Sequence, residues 1–493
     1  MDLIDSTRKL RDILLQDRHR PTYHLTAPEG VCAPFDPNGA LFWKGRYHLM
    51  VIVQTEKGHC WAHVSSKDLV HWRHHPLALE PGGVDTGIFS GGAFVDKNGV
   101  PTITYWGLGE QAGICLATSS DDNLDCWTKS PHNPVIHQTE HGLTIGPDGR
   151  PYGVADPSAI WIHNGRYYML TGNLLVLRKF GIEQDQQEHQ GDTAYLFVSD
   201  NLVDWQYLGP FYQSDRRWTQ ADEDNMCPDF FPLGDRHMLL FISHNLGCQY
   251  YLGRYENDRF CPEQHGRMTW VDDAFFAPES LLDEQGRRIM WAWVKDGREK
   301  PTRDASLWSG TMSLPRVLWL GEDRTLRMGP PEELAILRTK PETFDNLTVQ
   351  ADAELVLDTV SGDTIELNIE MRSISAAQFG VKVCCSPDGE EQTSIFYDAI
   401  EQQLKVDTTH SSLGEGPKTV EAGPLALKPG EPLRLRVLVD RSIVEVFAND
   451  RQAVTRRIYP TRDDSLGVVL FSHDGSAEVP SLAAWGMAPA NPW

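Results

Sequence analysis

The stretch VCAPFDPNGALFWKGRYHLMVIVQ, residues 31–54, sets a pattern that the rest of the chain repeats. Asp36 stands between an aromatic residue and a Pro-Asn-Gly turn, and two apolar runs follow it, joined by a turn at Lys44 and Gly45. Short apolar runs on either side of a glycine turn are typical of a β-hairpin. The stretch therefore places one carboxylate at the lip of a hairpin.

The same hairpin pattern occurs five times in the first two thirds of the chain, with turn glycines at Gly45, Gly99, Gly165, Gly234 and Gly286. A second element, Leu-x-x-Trp after Ser and Asp, lies between copies and ends at Trp72, Trp127 and Trp205. Each repeat has room for four short strands, and such a unit must stack on its neighbours to bury both faces. Five copies in a ring predict an all-β, five-bladed β-propeller; the rival is a large irregular β-sandwich.

The order of the patterns predicts four regions. Residues 1–20 form a helical lead-in, residues 21–325 the propeller, and the polar, Pro-containing residues 326–344 a linker. Residues 345–493 contain runs that alternate between apolar and polar, such as TIELNIEMRS, which are typical of a jelly-roll-like β-sandwich. No catalytic constellation is evident there, and a sugar-binding surface or a homo-oligomer surface on this domain stays open.

The composition indicates a globular protein whose partner is uncharged. The net charge of −24 argues against binding to nucleic acid or to an anionic membrane, and it is compatible with a small carbohydrate. No run of eighteen apolar residues exists, and the first twenty residues lack the apolar core of a signal peptide. We therefore predict a cytoplasmic protein with no membrane partner, in which the nine cysteines are free thiols.

Acidic residues stand near the start of four of the five hairpins, at Asp36, Asp156, Glu223 and Glu279. A single Asp-Pro pair is usually turn chemistry, with the acid in solvent. In a propeller, however, the innermost strand of each blade begins at the central channel, and loops at the mouth of a ring carry function. Acids at corresponding places of several repeats therefore predict one shared pocket.

These motifs, in order, resemble those of glycoside hydrolase family 32, the invertase, inulinase and levanase enzymes that act on β-fructofuranosides. The resemblance covers nearly the whole chain and implies the same propeller and sandwich. It is carried by FDPNG at 35–39, WAHVSSKDLVHW at 61–72, FSGGA at 89–93, ADPSAIW at 155–161, CPDFFPLGD at 227–235 and VDRSIVEVFAND at 439–450.

The resemblance implies a retaining mechanism, in which a nucleophile and an acid/base lie about 5–5.5 Å apart. Asp36 is then the nucleophile that attacks the anomeric carbon of fructose. Asp156 holds the fructose hydroxyls and stabilises the transition state. Asn38 and Ser90 are candidate hydroxyl contacts, and Gln54 is displaced by two positions from the family's glutamine.

Aromatic residues are candidates for the wall that raises the pKa of the acid/base. Trp61, Phe89 and Trp293 fit this role by their position, and each could equally belong to the core.

The chain departs from the family most clearly at the acid/base. The family has a glutamate directly before the cysteine of Glu-Cys-Pro, and this chain has Met226 there. We predict Glu223, on a longer loop, as the acid/base, with Glu279 as its rival. Ala155 stands where the family has arginine and Phe35 where it has asparagine. The linkage that is cut, and the choice between hydrolysis and transfer to another sugar, therefore stay open.

The predicted function is an exo-acting β-fructofuranosidase that forms a covalent fructosyl–enzyme intermediate and uses no cofactor or metal. His59 and His63 have the i, i+4 spacing of metal ligands, but this region is predicted as strand and turn rather than helix. One alternative is an inverting propeller glycosidase of the arabinanase kind, with carboxylates about 6.5–9.5 Å apart. Another is a catalytically inactive fructan-binding protein, which Met226 and Ala155 motivate.

Overall fold

The computed structural model describes residues 3–27, 30–110, 113–146, 149–176 and 191–491. Nearly all regular structure in these ranges is β-strand. The helical segments of the described chain are the α-helices Leu3–Gln16 (α1) and Lys300–Ser306 (α2) and the 3-10 helix Glu332–Leu337. None of the helices in the described ranges is long and apolar enough to cross a membrane.

Five antiparallel sheets follow one another in the described residues between 37 and 329. The first contains Pro37–Trp43 (β1), Arg46–Thr55 (β2), Gly58–Ser66 (β3) and Trp72–His74 (β4). The second contains Gly87–Ile88 (β5), Ala93–Val95 (β6), Pro101–Leu108 (β7), Gly113–Ser119 (β8), Trp127–Lys129 (β9) and Ile136–His137 (β10), and a two-stranded sheet follows it, Leu143–Ile145 (β11) and Pro151–Gly153 (β12). The third contains Trp161–His163 (β13), Arg166–Thr171 (β14), Tyr195–Ser199 (β15) and Gln206–Pro210 (β16). The fourth contains Met226–Leu233 (β17), Arg236–Ser243 (β18), Gly247–Glu256 (β19) and Arg259–Arg267 (β20). The fifth contains Phe275–Leu282 (β21), Arg288–Val294 (β22), Arg316–Leu320 (β23) and Leu326–Gly329 (β24).

Each predicted repeat corresponds to one of these sheets. The five turn glycines have φ between 61° and 79°, the left-handed region that glycine adopts without strain. The second repeated element also has one structure in three sheets. Ser66, Ser119 and Ser199 each hydrogen-bond the Asp or Asn side chain two residues later, and the leucine that follows has φ between 58° and 65°. The internal repeat is therefore confirmed down to individual turns.

The five sheets contact one another in a closed cycle. β1 packs against β6 of the second sheet and β21 of the fifth, and β17 packs against β14 and β21. The second and third sheets meet where Gly92 lies so close to Ala159 that a Cβ at Gly92 would fall 2.3 Å from the Ala159 backbone nitrogen. A closed ring of antiparallel sheets is a β-propeller, as predicted.

Residues 338–487 form two further six-stranded sheets. Their order is β25-β36-β27-β32-β33-β34 in one and β26-β35-β28-β29-β30-β31 in the other, and apolar side chains from both sheets form one core between them. In chain order the strands are Arg338–Val349 (β25), Ala353–Ser361 (β26), Thr364–Ser373 (β27), Gln378–Cys385 (β28), Thr393–Asp398 (β29), Gln403–Asp407 (β30), Val420–Pro424 (β31), Leu433–Asp440 (β32), Ile443–Ala448 (β33), Gln452–Arg457 (β34), Gly467–His473 (β35) and Ala477–Met487 (β36). This is the β-sandwich that the sequence predicts.

The predicted linker, residues 326–344, is not an extended connector. Its first residues form β24, the outer strand of the fifth sheet, and its last residues belong to β25, which pairs with β36. Only the 3-10 helix and its flanks lie between the two. β25 is mostly exposed, so its residues are polar and lack the apolar alternation by which a strand is predicted from sequence. The other predicted domain limits stay predictions.

Buried charges join the sandwich to the propeller. Asp440 accepts hydrogen bonds from the backbone nitrogens of Thr22, Tyr23 and His24, at 2.7 to 2.9 Å. Glu445 accepts from Arg316 of β23 at 3.0 Å and from the Leu314 backbone nitrogen at 2.6 Å. His24 bridges the two acids, with ring nitrogens 2.9 Å from Asp440 and 3.3 Å from Glu445.

This network keeps Glu445 ionised without access to water. Burial alone would raise the pKa of Glu445. The hydrogen bond from His24 and the charges of Arg316 and His24 outweigh burial and lower this pKa to about 2. A buried ion pair is costly to break, because the remaining partner keeps its charge in a dry site.

We expect Glu445→Gln to lower the free energy of unfolding by about 3–5 kcal/mol, because Arg316 and His24 lose their shared counter-charge. Urea denaturation followed by tryptophan fluorescence measures this. Asp304→Asn is the matched control, since Asp304 pairs with Lys300 at the exposed surface of α2 and its loss should leave the midpoint unchanged. Equal midpoints for all three proteins would contradict the structural role given to Glu445.

Candidate active site

Four of the innermost segments carry the same backbone bulge. Gly39, Asp156, Cys227 and Ala277 have φ of 54°, 39°, 49° and 46°, and the last three each precede a proline. The pairing register of β1, β17 and β21 shifts at this point. A non-glycine residue with positive φ costs free energy, and such residues cluster at functional sites. The bulges mark one level of the ring.

A cavity of about 370 Å³ opens at this level. Asp36 and Asp156 both line it, from different sheets, and each is 5% exposed. The other lining residues are Pro34, Phe89, Trp106, His141, Leu174, Met226, Cys227, Ile242, His244, Phe276, Trp293 and Lys295.

Each carboxylate has one oxygen held by the protein and one without a partner in the described residues. Ser90 Oγ donates to Asp36 Oδ2 at 2.8 Å, and Cys227 Sγ donates to Asp156 Oδ2 at 3.5 Å. Both Oδ1 atoms are buried and accept no hydrogen bond from any described residue. An unmatched buried acceptor is costly, so a ligand that donates to it or reacts with it binds favourably.

Burial sets the protonation of the pair. It raises the pKa of Asp36 to about 6, against the Ser90 hydrogen bond and the charges of His244 and Lys295. It also raises the pKa of Asp156 to about 7, and there the negative charge of Asp36 adds to the effect. Two neighbouring carboxylates in a dry site cannot both ionise easily. Asp36 is thus the group that ionises first.

Two cationic side chains reach the cavity from corresponding places in the fourth and fifth sheets. His244 follows β18 directly, and Lys295 follows β22 directly. Lys295 donates a short hydrogen bond to Asp273, and its Nζ lies 4.4 Å from the ring centre of Phe276. His244 is bound to Asp224. These groups supply positive charge opposite the carboxylates.

Two of the predicted aromatic walls line the cavity, and the third does not. Phe89 and Trp293 lie on its surface, and the Trp293 Nε1 atom has no partner among the described residues. Trp61 is fully buried in the core of the first two sheets, and its Nε1 donates to the Phe89 carbonyl at 3.2 Å. It supports Phe89 from behind.

The predicted polar contacts stand mainly behind the cavity. Ser90 orients Asp36, as described above. Asn38 donates to the Asp36 carbonyl at 2.7 Å and accepts from the Gly91 backbone nitrogen at 2.9 Å, which fastens the first sheet to the second. Gln54 is exposed near the end of β2, where its side chain donates to the Thr55 carbonyl, and it does not line the cavity.

The prediction of Glu223 as the acid/base is not supported by its position. Glu223 is fully buried away from the cavity, and Arg267 of β20 donates to both its oxygens, at 2.8 and 2.9 Å. Burial raises the pKa of Glu223, but Arg267 and the Gln220 backbone nitrogen bring it below its ordinary value. A carboxylate held ionised carries no proton to give. Loop length alone could not reveal Arg267.

Glu279 lies deeper in the ring, two residues beyond the bulge at Ala277. It accepts from the Ala40 backbone nitrogen at 3.2 Å and neighbours Asp229, and it does not line the cavity. Burial and the charge of Asp229 raise the pKa of Glu279. The acids thus occupy different levels of the ring, and only Asp36 and Asp156 of the four predicted acids meet in the cavity.

Sequence reasoning missed ten of the lining residues, among them His244, Lys295 and Trp106. A signal existed for these three. The second strand of each sheet runs antiparallel to the first, so its final residues return to the rim where the first strand starts. Lys295 and His244 directly follow such strands, and Trp106 lies near the end of β7.

A histidine cluster lies away from this cavity, between the outer strands of the first sheet and the loop that joins β8 to β9 in the second. His63, His75 and Asp125 come close enough to share a metal ion. The rings of His63 and His75 stack at 4.2 Å, however, and both ring nitrogens of His75 already contact Ser65 and Asp125, at 2.6 Å each. Stacking and internal hydrogen bonds explain this cluster as packing, and the prediction of no metal stays a prediction.

Comparison with known proteins shows which protein family the chain matches. Residues 24–330 match the Glycosyl hydrolases family 32 N-terminal domain, and residues 333–486 match the Glycosyl hydrolases family 32 C terminal. A sucrose-6-phosphate hydrolase of Zymomonas mobilis is 30% identical over 99% of this chain and 96% of its own length. A levanase of Bacillus subtilis is 30% identical over 96% of this chain and 72% of its own length.

Solved structures give the same fold. Fructan 1-exohydrolase IIa from Cichorium intybus superposes with a TM-score of 0.82 at 22% identity, covering 96% of this chain and 98% of its own. An exo-inulinase from Aspergillus awamori gives a TM-score of 0.78 at 23% identity, over 97% and 99% of the two chains. Both halves of the chain match the family, and the matches span almost its whole length. The chain therefore belongs to glycosyl hydrolase family 32.

Proposed function

We propose that the chain is a retaining β-fructofuranosidase that releases fructose from the end of a fructoside. The observation that carries the proposal is the pair of buried carboxylates, Asp36 and Asp156, each with one unmatched oxygen in the same cavity. Retaining glycosidases need a carboxylate nucleophile at the anomeric carbon.

Asp36 is the nucleophile in this proposal. Its Oδ2 is fixed by Ser90, and Asn38 holds its backbone carbonyl, so Oδ1 is the atom that attacks the anomeric carbon. Holding the attacking atom in one orientation removes much of the entropic cost of the reaction. Asp156 accepts hydrogen bonds from ring hydroxyls and stabilises the positive charge that develops on the sugar.

The cavity supports release from the chain end. A volume of about 370 Å³ is at the small end of ligand pockets, which suits one furanose and part of the next unit. Phe89, Trp106, Phe276 and Trp293 supply apolar walls that exclude water. Sucrose, its 6-phosphate and short fructo-oligosaccharides are the substrates to compare, since the curated relatives are named for sucrose 6-phosphate and levan.

The alternatives are weaker. An inverting enzyme of the arabinanase kind is not favoured, because both halves of the chain match a family whose relatives here are named as fructoside hydrolases. An inactive fructan-binding protein stays a candidate, because Met226 stands where the family has its acid/base and Ala155 where it has arginine. An activity assay decides between this candidate and an active enzyme.

We also place the enzyme in a reducing compartment, with the cytoplasm as the proposal. The support is that all nine cysteines are free thiols, two of them exposed. Self-association through the sandwich stays a prediction.

We expect Asp36→Asn to lower kcat/KM for sucrose by about 10³-fold or more, because the amide cannot form the covalent intermediate. Asp156→Asn should also lower it strongly, by weakening the contacts that tighten in the transition state. Release of fructose from sucrose by purified protein measures both. A chain that keeps its melting temperature and its activity with Asn at position 36 would contradict the proposal.

Glu223→Gln tests whether Glu223 takes part in the reaction. It breaks the pair with Arg267 outside the cavity, so we expect a lower melting temperature and a kcat within about threefold of the unchanged chain, as for a structural substitution. Thermal melting and fructose release at a temperature where both proteins are folded give the two numbers. A folded Glu223→Gln protein without activity would restore Glu223 as a catalytic residue.

Activity should rise with pH on the acid side as Asp36 loses its proton. The pKa of Asp36 is raised to about 6 by burial, so kcat/KM should increase up to and through pH 6 rather than near the ordinary carboxylate value of 3.8. A pH–rate profile for sucrose measures the limb. Full activity at pH 4.5 would show that Asp36 is not buried in the way described.

A further inference from the structure

The cavity has a nucleophile but no glutamate to protonate the leaving group among the described residues. Met226 stands where the resemblance implies the acid/base, and its uncharged side chain lines the cavity. Glu223 and Glu279 both lie elsewhere in the ring. A fructoside with a poor leaving group needs a proton donor at the glycosidic oxygen. Within the described part of the chain, the candidates for this proton donor are the other polar groups of the cavity.

His244 has the geometry of an acid/base. Its Nδ1 lies 2.6 Å from Asp224 Oδ2, and its backbone nitrogen donates to Asp224 Oδ1 at 2.8 Å. Asp224 is fully buried, whereas the His244 side chain is 41% exposed and lines the cavity. A carboxylate that binds Nδ1–H fixes the tautomer and the ring orientation. The other nitrogen, Nε2, is then the atom that gains and loses a proton.

The other polar groups of the cavity fit this role less well. Lys295 is bound to Asp273 and lies over two aromatic rings, which suits a fixed charge. Burial raises the pKa of the Cys227 thiol well above its ordinary value, and its Sγ donates to Asp156. His141 packs its ring on Trp106 at 4.8 Å, which suits part of the cavity wall.

We propose that His244 is the general acid/base of this enzyme and that Asp224 positions it; this rests on the proposed function. In the first step Asp36 Oδ1 forms a bond to the anomeric carbon, the bond from that carbon to the glycosidic oxygen breaks, and His244 Nε2–H gives its proton to that oxygen. In the second step Nε2 takes a proton from water as the water oxygen displaces Asp36 from the carbon. Proton and charge return to the starting state.

The surroundings of His244 favour the protonated form of the ring. Burial lowers the pKa of His244, but the hydrogen bond and charge of Asp224 and the charges of Asp156 and Asp36 raise it above 6.5 overall. In the described part of the chain, the charged and titratable groups around the ring are Asp224 beside it, Asp36 and Asp156 across the cavity, and Lys295, Cys227 and His141 on its walls. Activity should therefore fall on the alkaline side as His244 loses its proton.

The test compares two substrates that differ in their need for an acid. Sucrose has a sugar leaving group that must be protonated, whereas β-fructosyl fluoride releases fluoride with little help. We expect His244→Asn to lower kcat/KM for sucrose by about 10²- to 10⁴-fold and for the fluoride by less than about tenfold. Added azide, which needs no base, should accelerate the variant on the fluoride and form fructosyl azide, while leaving the unchanged chain nearly unaffected.

The controls separate this proposal from the proposed function. His71→Asn, which removes an exposed histidine paired with Asp68 outside the cavity, should behave like the unchanged chain, and His244→Gln repeats the test if His244→Asn does not fold. An unchanged chain that is inactive on both substrates would overturn the proposed function and this assignment with it. An active chain in which His244→Asn loses the same factor on both substrates, or keeps its sucrose activity, overturns the assignment of His244 alone.

Asp224→Asn tests the positioning role. Without the Asp224 charge the pKa of His244 should fall, so the alkaline limb of kcat/KM for sucrose should move to lower pH. A merely structural residue would change the rate or the melting temperature and leave the limb in place, which would contradict the proposal for Asp224.

Discussion

The rest of the structure depends on the free-energy cost of burying two carboxylates away from water. Asp36 and Asp156 come from different sheets and meet in one cavity, where burial raises the pKa of both and each keeps one oxygen unmatched. Such a pair persists only if the surrounding fold is rigid enough to hold it. The closed ring supplies that rigidity, because each sheet packs against two neighbours. Asn38 and Ser90 then bind the first sheet, the second sheet and Asp36 into one unit.

The sandwich extends this support to the far wall of the cavity. Asp440 holds the backbone of residues 22–24, and the next residues pair with the segment around Thr311. That segment in turn bonds to Val294 and pairs with Trp293, next to Lys295 in the cavity. Charges in the second domain are thus linked by continuous hydrogen bonds to the strand that carries one side of the site. This gives the sandwich a structural role although it contributes no lining residue to the cavity.

Much of this could be predicted from the sequence because it is written in local patterns. The repeats and the propeller can be predicted from the turn glycines and from the repeated element that ends in Leu-x-x-Trp. The Asp-Pro pairs identify the two acids that meet in the cavity. Glu223 could not be placed, since its partner Arg267 lies on another strand and no local pattern links them. Trp61 and Phe89 are both aromatic candidates for the cavity wall in the sequence, and only packing shows that one supports the other. His244 was overlooked because its place in the cavity depends on where β18 ends in the ring.

The central claim is that Asp36 becomes covalently bound to fructose in this cavity. The most direct measurement is mass spectrometry of the protein, digested after rapid quenching of the His244→Asn variant with β-fructosyl fluoride, where the second step is slow. The account predicts one added fructosyl group on the peptide that contains Asp36. A fructosyl group on the Asp156 peptide, or turnover of the fluoride with inverted anomeric configuration and no adduct at all, would contradict it.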